Sequence, residues 1–284
     1  MTTRAAGPRR RRIVAGNWKM HFLAAEAAGF CRELRRGLPQ GGQGGPGGSG
    51  GEPPAVELPT PAAARVEVVL FPSFPLLPAV AAALAGSEVT LGAQDLHPAD
   101  RGAHTGDVSG PQILDAGCRW VLCGHSERRR DHGESDELIA RKVAAAGRHG
   151  LAPLLCVGET REQREAGETL AVLERQLRSG LSSLPPPSSA AGERVGLVIA
   201  YEPVWAIGTG LTASPETAQE VHEFLRAAAA GLAGGDAAVS LLYGGSVTPA
   251  NAAGLIAQPD VDGFLVGGAS LDPRQFLAII ACSG

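Results

Sequence analysis

The sequence has few charged residues and no long apolar run. Only 19% of its 284 residues are Asp, Glu, Lys or Arg, and 25 basic against 29 acidic side chains give a net charge of −4. Such a chain, with 44% hydrophobic residues, is not a charge-rich disordered protein, and it has no overall basic field for nucleic acid. No apolar run approaches the roughly 20 residues that span a bilayer. We therefore expect no nucleic-acid partner and no membrane partner.

The cysteines are few and are not arranged in pairs. There are five, an odd number for a long chain, and no Cys-x-x-Cys motif occurs among them. This pattern disfavours a disulfide framework and a thiolate zinc site, and it favours the reducing cytoplasm. Only three apolar residues separate the arginines of residues 9–12 from Gly16, too few for a secretory signal. Residues 1–11 are expected to form a basic, solvated tail, with a short targeting or anion-binding arm as the alternative.

Two segments rich in Gly, Pro and Ser interrupt the chain. In residues 37–54, 13 of 18 positions are Gly or Pro, which predicts a flexible insertion that extends to about residue 62. A second, shorter spacer covers residues 184–192. The flanking segments look regular, so we interpret 37–62 as an insertion after the first helix, within a single domain of residues 12–284.

Elsewhere, short apolar runs alternate with longer amphipathic segments. Eight of these runs are nearly continuous in Val, Ile, Leu and Ala, which is typical of strands buried on both faces of a parallel sheet. The predicted strands are residues 12–17, 65–71, 88–94, 120–124, 151–157, 195–202, 239–243 and 261–266. Between them, apolar positions recur at helical spacing, and Ser214-Pro215 and Thr248-Pro249 predict helix starts.

Eight strand–helix units predict a single (β/α)₈ barrel, in which functional residues lie at the C-terminal ends of the strands. A doubly wound sheet is the competing architecture. It would be favoured by a Gly-x-Gly-x-x-Gly turn after the first strand, but Asn17-Trp18-Lys19-Met20 occupies that position.

The predicted strand ends carry side chains suited to catalysis. Asn17 and Lys19 follow the first strand, His125 and Ser126 the fourth, and Glu202 the sixth. The last two strands end in glycine-rich turns that expose backbone N–H groups. Each residue alone has an ordinary structural explanation, such as a solvated lysine or a carboxylate that ends a strand before proline. A barrel brings all of them to one mouth, and this convergence favours a site.

Five segments resemble signatures of the triosephosphate isomerase family, and they occur in the family's order. They are residues 15–20 (AGNWKM), 123–129 (CGHSERR), 200–210 (AYEPVWAIGTG), 243–247 (YGGSV) and 262–270 (DGFLVGGAS). The resemblance implies a TIM barrel that interconverts dihydroxyacetone phosphate and D-glyceraldehyde 3-phosphate through an enediol(ate), in glycolysis and gluconeogenesis. It also implies a phosphorylated triose substrate and no metal or organic cofactor.

The resemblance assigns roles to individual residues. Glu202 would be the base, and His125, Lys19 and Asn17 would stabilise the intermediate, with Glu127 and Ser126 in support. The substrate phosphate would be held by Gly208, Ser246, Gly267 and Gly268. A mobile lid would cover the mouth; it would consist of Pro203, Val204, Trp205, Ala206, Ile207, Gly208, Thr209, Gly210 and Leu211.

Some positions depart from the family pattern. Leu211 replaces the usual lysine at the end of the lid, His104 replaces an aromatic residue, and Asp95 and His21 each replace an asparagine. By resemblance, the loop with Thr105, Gly106 and Asp107 inserts into a partner subunit and makes a homodimer. The remaining alternatives are a catalytically silent phosphate-binding barrel that acts as a scaffold, or another phosphosugar-processing barrel enzyme.

Overall fold

The strands form one closed parallel barrel in a computed structural model that describes residues 10–39, 66–182, 198–206, 212–233 and 239–284. Each strand pairs with the next in the chain, and β8 closes the barrel on β1. The strands are β1 (Ile13–Asn17), β2 (Glu67–Phe71), β3 (Thr90–Ala93), β4 (Trp120–Cys123), β5 (Ala152–Val157), β6 (Val198–Tyr201), β7 (Ser240–Tyr243) and β8 (Gly263–Val266). The predicted (β/α)₈ barrel is confirmed.

Both faces of the barrel wall are buried, which explains the nearly continuous apolar strands. Ile13 and Ala15 of β1 belong to the cluster that fills the barrel interior, whereas Val14 between them belongs to the layer that packs on the helices. Successive side chains of a strand point to opposite faces, so each face needs its own apolar residues. An alternating polar face would have left charges between strands and helices.

Helices cover the outside of the barrel. They are α1 (Ala24–Gly37), α2 (Leu77–Leu84), α3 (Gly110–Asp115), α4 (Ser126–His132), α5 (Asp136–Arg148), α6 (Arg161–Glu165), α7 (Thr169–Ser182), α8 (Pro215–Ala233), α9 (Pro249–Ile256) and α10 (Pro273–Cys282). α8 and α9 begin at Pro215 and Pro249, as the Ser-Pro and Thr-Pro pairs predicted. Ser214 Oγ accepts a hydrogen bond from Thr217 N at 3.2 Å and caps α8. Within the described residues, no helix is both long and apolar enough to cross a membrane.

The observed strands are shorter than predicted at several ends. β3 covers only Thr90–Ala93 of the predicted 88–94, and β6 ends at Tyr201 instead of Glu202. Glu202 N still donates to Val157 O of β5 at 2.8 Å, but the side chains of Gln94 and Glu202 bond to groups outside their own strands. These polar residues therefore lie at the rim, just after the strands.

The structure shows where the first of the two spacers begins. α1 continues to Gly37, where an added Cβ would lie 2.3 Å from Leu277 Cδ1, so the predicted insertion starts at the last residue of a packed helix. Residues 40–65 and 183–197, which hold most of both spacers, lie outside the described residues, as do residues 1–9 of the basic tail. The flexibility of these segments and the domain limits remain predictions.

Candidate active site

A cavity of about 310 Å³ opens at the C-terminal ends of the barrel strands. Its wall combines the loops after β1, β4, β6, β7 and β8, as expected for this architecture. Seven sequence-predicted site residues line it: Asn17, Lys19, His125, Glu202, Ser246, Gly267 and Gly268.

Lys19 is held in an unusual backbone conformation after β1. Its φ of 52° lies in the left-handed region, which costs a non-glycine residue about 1–3 kcal/mol. Two hydrogen bonds fix the peptide: Lys19 N donates to Asn17 Oδ1 at 3.0 Å, and Gln94 Nε2 donates to Lys19 O at 2.8 Å. The ammonium then meets Glu127 Oε1 at 2.7 Å. These contacts aim the cation into the cavity.

His125 caps the first turn of α4. Glu127 N donates to its Nδ1 at 3.2 Å, so Nδ1 carries no proton in this contact. Its Nε2 lies 2.9 Å from Glu202 Oε1 and is the ring nitrogen that donates. The imidazole is only 5% exposed. The backbone of α4 therefore selects the tautomer with its proton directed at the cavity.

Glu202 is a buried carboxylate with fixed partners. It directly follows β6, is 2% exposed, and its Oε2 accepts a hydrogen bond from Ser126 N at 2.9 Å. Burial raises its pKa, but His125, the Ser126 amide and Lys19 together outweigh burial, and the pKa is lowered from its ordinary value. The carboxylate is therefore ionised at neutral pH.

Opposing effects also act on the pKa of His125. Burial lowers its pKa, whereas the Glu202 charge, its hydrogen bond and the Glu127 carboxylate raise it, and the net direction is upward. The upward shift depends on the Glu202 contact, while the Glu127 amide on Nδ1 favours the neutral ring. Separation of His125 from Glu202 would therefore favour the neutral imidazole.

Glu159 is a functional candidate that our sequence reasoning missed. It lies just after β5, is 0% exposed, and its Oε1 accepts hydrogen bonds from Tyr201 Oη (3.0 Å) and Trp205 Nε1 (2.9 Å). Arg164 pairs with the same oxygen at 3.1 Å and stacks over the Trp205 ring at 4.6 Å. The strand-end rule, applied to β5, would have found it.

Four charged side chains, of which Glu134 and Lys142 are buried and Asp95 and Arg128 partly buried, form a cluster beneath the β3 and β4 loops. Lys142 Nζ contacts Asp95 Oδ1 and Glu134 Oε1, each at 2.5 Å. Arg128 contacts the same two carboxylates at 3.0 and 2.7 Å. Asp95 stands where the family usually has asparagine. Its carboxylate is the second anion of the cluster, so two cations and two anions balance. Gln94, its neighbour, holds Lys19, so the cluster also supports the cavity wall.

The remaining predicted residues fall into three groups. Ser246, Gly267 and Gly268 line the cavity, and a 3₁₀ helix over Gly268–Leu271 follows β8. Of the predicted lid, Pro203 to Ala206 are described, with a 3₁₀ turn over Val204–Ala206, whereas residues 207–211 lie outside the described residues. Thr105, Gly106 and Asp107 are exposed on the loop between β3 and α3 and do not line the cavity. The structure offers no explanation for His21.

Comparisons with known proteins agree on one family. The model of the triosephosphate isomerase family matches residues 55–283. The chain is 47% identical to a triosephosphate isomerase of Moorella thermoacetica, with 95% of this chain and 98% of the relative covered. It is 48% identical to that of Bordetella pertussis (96% and 97% covered) and 44% identical to that of Thermus thermophilus (97% and 100% covered).

The charge cluster generates a stability prediction. Glu134→Gln should destabilise the protein by about 2–4 kcal/mol, because it leaves the buried Lys142 and the partly buried Arg128 with only one carboxylate. The pKa of Glu134 is lowered because Lys142 and Arg128 outweigh burial, so its contribution is complete above its ordinary pKa of 4.5 and is lost as pH falls further. Denaturant unfolding of both proteins at several pH values measures this difference.

The matched control is Glu174→Gln, which removes the partner of Arg178 in an exposed pair. It should cost less than about 0.5 kcal/mol. Asp95→Asn should cost less than Glu134→Gln, because burial raises the pKa of Asp95 despite Lys142 nearby. Equal costs at positions 134 and 174 would contradict the role of the cluster.

Proposed function

This chain belongs to the triosephosphate isomerase family, and from that premise we propose that Glu202, His125 and Lys19 perform its reaction. The protein interconverts dihydroxyacetone phosphate and D-glyceraldehyde 3-phosphate, a step of glycolysis. The observation that carries the assignment is the meeting of an ionised carboxylate, an imidazole N–H and an ammonium at one cavity. A silent scaffold would not need these groups together, and a different phosphosugar enzyme is disfavoured by the relatives.

Glu202 is the base in this proposal. The reaction removes a proton from the carbon next to a carbonyl and returns a proton to the neighbouring carbon, so one carboxylate serves both steps. Glu202 has a lowered pKa and is therefore in the form that accepts a proton. General-base catalysis contributes roughly 10²–10⁴-fold, so the charge of the enediolate must also be stabilised.

His125 and Lys19 supply that stabilisation. In the free protein, His125 Nε2 donates to Glu202, and a carbonyl oxygen of the substrate would replace the carboxylate as its acceptor. This exchange leaves Glu202 free to accept a proton from the substrate carbon. It also removes the main cause that raises the pKa of His125. A neutral imidazole, closer in acidity to an enediol oxygen, then donates in a preorganised site with Lys19 and Asn17 nearby. Glu127 and Ser126 support it: Glu127 positions Lys19 and His125, and Ser126 N positions Glu202.

The phosphate is held by backbone groups and one cation. Ser246, Gly267 and Gly268 line the same cavity as Glu202, and Gly208 joins them in the proposal. A Cβ at Gly267 would lie 3.6 Å from Lys19 Cε, so glycine keeps this corner open for phosphate oxygens beside the ammonium. The 3₁₀ helix over Gly268–Leu271 begins in the cavity wall, so its first N–H groups would add to this phosphate site.

The lid is proposed to span Pro203 to Leu211. Its first part is anchored because Trp205 donates to the buried Glu159, which also holds Tyr201 at the end of β6. Closure of the remaining residues would exclude water, strengthen the electrostatic interactions and protect the enediolate from loss of phosphate.

We also propose a cytoplasmic location, which the five free cysteines support; cell fractionation tests it.

Glu202→Asp is the most direct test of the base. The shorter side chain withdraws the carboxylate by one methylene, so turnover should fall by at least about 10²-fold while substrate affinity changes far less. The assay supplies glyceraldehyde 3-phosphate and couples dihydroxyacetone phosphate to a reductase. Glu162→Asp, at an exposed carboxylate of α6, is the control and should keep normal turnover. Near-normal turnover of Glu202→Asp would reject the assignment.

The roles of His125 and Lys19 are separable. His125→Gln keeps a hydrogen-bond donor but loses the matched acidity, so kcat should fall by about 10²-fold with little change in the affinity for inorganic phosphate. Lys19→Ala removes a charge next to the phosphate corner and should weaken both phosphate binding and kcat. Phosphate inhibition constants and kcat are measured for both variants; an equal loss of phosphate affinity would contradict this division.

We further propose a homodimer in which Thr105, Gly106 and Asp107 lie against the partner. Met20 is 94% exposed and Leu23 74% exposed on the loop after β1, which supplies apolar surface for a second chain. Sedimentation equilibrium should give twice the 29.0 kDa chain mass. Met20→Glu with Leu23→Glu should shift the protein toward monomer, and a wild-type mass of one chain would refute the dimer.

A further inference from the structure

We propose that Gln176 of α7 is a positioning residue for the isomerase reaction, because it holds the backbone of Gly158, against which the backbone of Glu202 lies. This role presupposes that Glu202 is the base, as proposed above. Gln176 does not line the catalytic cavity, so it acts on the reaction through other residues. Its contribution is to fix the point from which the Glu202 carboxylate reaches the substrate.

Gln176 is the one polar side chain on the buried face of α7. The buried residues of this helix recur at helical spacing: Val172, Leu173, Gln176, Leu177, Gly180 and Leu181. This face packs on β5, and Leu173 and Leu177 belong to the same apolar layer as Leu155 and Val157 of that strand. Gln176 is only 6% exposed, and an amide buried without a partner costs free energy. A glutamine at this position therefore needs a partner in the barrel.

The partner is the backbone of Gly158, which directly follows β5. Gly158 N donates to Gln176 Oε1 at 2.8 Å, and Gln176 Nε2 donates to Gly158 O at 3.1 Å. One hydrogen bond would leave Gly158 free to turn about it, whereas two fix both its position and its orientation. α7 therefore determines where the chain runs as it leaves β5.

The segment that Gln176 holds lies directly against the backbone of Glu202. A Cβ added to Gly158 would lie 1.8 Å from Glu202 O, so no side chain fits between the two backbones. The residues on either side of Gly158 bond to the same segment: Glu202 N donates to Val157 O at 2.8 Å, and Val204 N donates to Glu159 O at 3.2 Å. A shift of Gly158 would therefore move Glu202 and the start of the lid together.

This backbone support matters most when substrate is bound. In the free protein, the Glu202 carboxylate contacts His125 Nε2 and Ser126 N, each at 2.9 Å. In the proposed reaction His125 turns to a substrate oxygen, so the carboxylate loses one of these contacts when it must reach the substrate carbon. The main chain of Glu202 then has a larger part in setting its position. A displacement of about 1 Å can cost about 10²-fold in rate.

Gln176→Met is the first variant. Methionine keeps the length of glutamine but makes neither hydrogen bond, so Gly158 N and O are left buried without partners and the segment must shift. We expect kcat to fall at least about tenfold. The inhibition constant of inorganic phosphate should change less than about twofold, because the proposed phosphate groups follow other strands.

A double-mutant cycle with Glu202→Asp shows whether Gln176 acts through the base. Glu202→Asp already withdraws the carboxylate, so Gln176→Met should lower the kcat of that variant by less than about threefold. An equal loss in both backgrounds would place the action of Gln176 elsewhere and overturn the proposal. Near-normal turnover of Glu202→Asp alone would instead reject the base, so the two failures are distinguishable.

Gln176→Glu tests the hydrogen bonds without a change in shape. A protonated carboxyl offers Gly158 the same donor and acceptor as the amide, whereas an ionised carboxylate cannot donate. The kcat of this variant, relative to wild type at the same pH, should therefore rise from about pH 8 to about pH 5, because burial favours the protonated form. A ratio that stays low at every pH would contradict the role of these hydrogen bonds.

The matched control is Val172→Ala, which shortens another buried side chain of α7 that has no polar atom. It should lower the free energy of unfolding but keep kcat within about twofold of wild type. Denaturant unfolding checks that every variant is folded under the assay conditions. Normal kcat of Gln176→Met would overturn the proposal, and so would an equal loss of kcat in Val172→Ala, which would assign the effect to general destabilisation.

Discussion

The first turn of α4 is the element on which the proposed catalytic arrangement depends. Its Ser126 amide holds Glu202, its Glu127 amide holds His125, and the Glu127 carboxylate holds Lys19. The Glu202 carboxylate, the His125 imidazole and the Lys19 ammonium come from three different strand ends, yet a single short helix sets the distances among them. A small shift of α4 would change all three contacts together. The position of this helix must therefore be fixed by contacts outside the cavity.

Two arginines on α4 provide that support. Arg129 Nε donates to Gly124 O at 2.9 Å and its NH2 to Cys156 O at 3.2 Å, so it ties the helix to the ends of β4 and β5. Arg128 enters the cluster of Asp95, Glu134 and Lys142. The turn before the helix is equally constrained: Gly124 has a φ of 76°, and an added Cβ would meet Ile139 Cδ1 at 2.8 Å. Directional charge contacts thus fix a helix too short to be fixed by its own apolar face.

The strand-end rule predicted much of this site from sequence. The barrel places the residues after each strand on one rim, so Asn17, Lys19, His125, Ser126, Glu127 and Glu202 follow from the strand assignments, and the family motifs gave them roles. Glu159 also follows a strand, β5, but the sequence does not reveal its partners, because Tyr201 and Trp205 are 42 and 46 residues away. The role of Asp95 was equally hidden, because Lys142 lies on α5 and only the folded barrel brings them together. Local sequence patterns predict the strands and the residues that follow them. Side-chain contacts between distant segments depend on the folded barrel and cannot be predicted from those patterns.

The charge cluster of Asp95, Arg128, Glu134 and Lys142 shows how hydrogen-bonded charges and apolar packing differ in their effect on the position of α4. Desolvation of four charges largely offsets their mutual attraction, and apolar side chains of the same volume would often be as stable or more so. Apolar contacts are not directional, however, so they would leave the rotation of α4 about its axis poorly defined. Arg128 must meet Asp95 and Glu134 at hydrogen-bonding distance, which allows few orientations of the helix. We infer that the cluster is retained for orientation. A variant with apolar residues at 95, 128, 134 and 142 should therefore lose turnover without a matching loss of unfolding free energy.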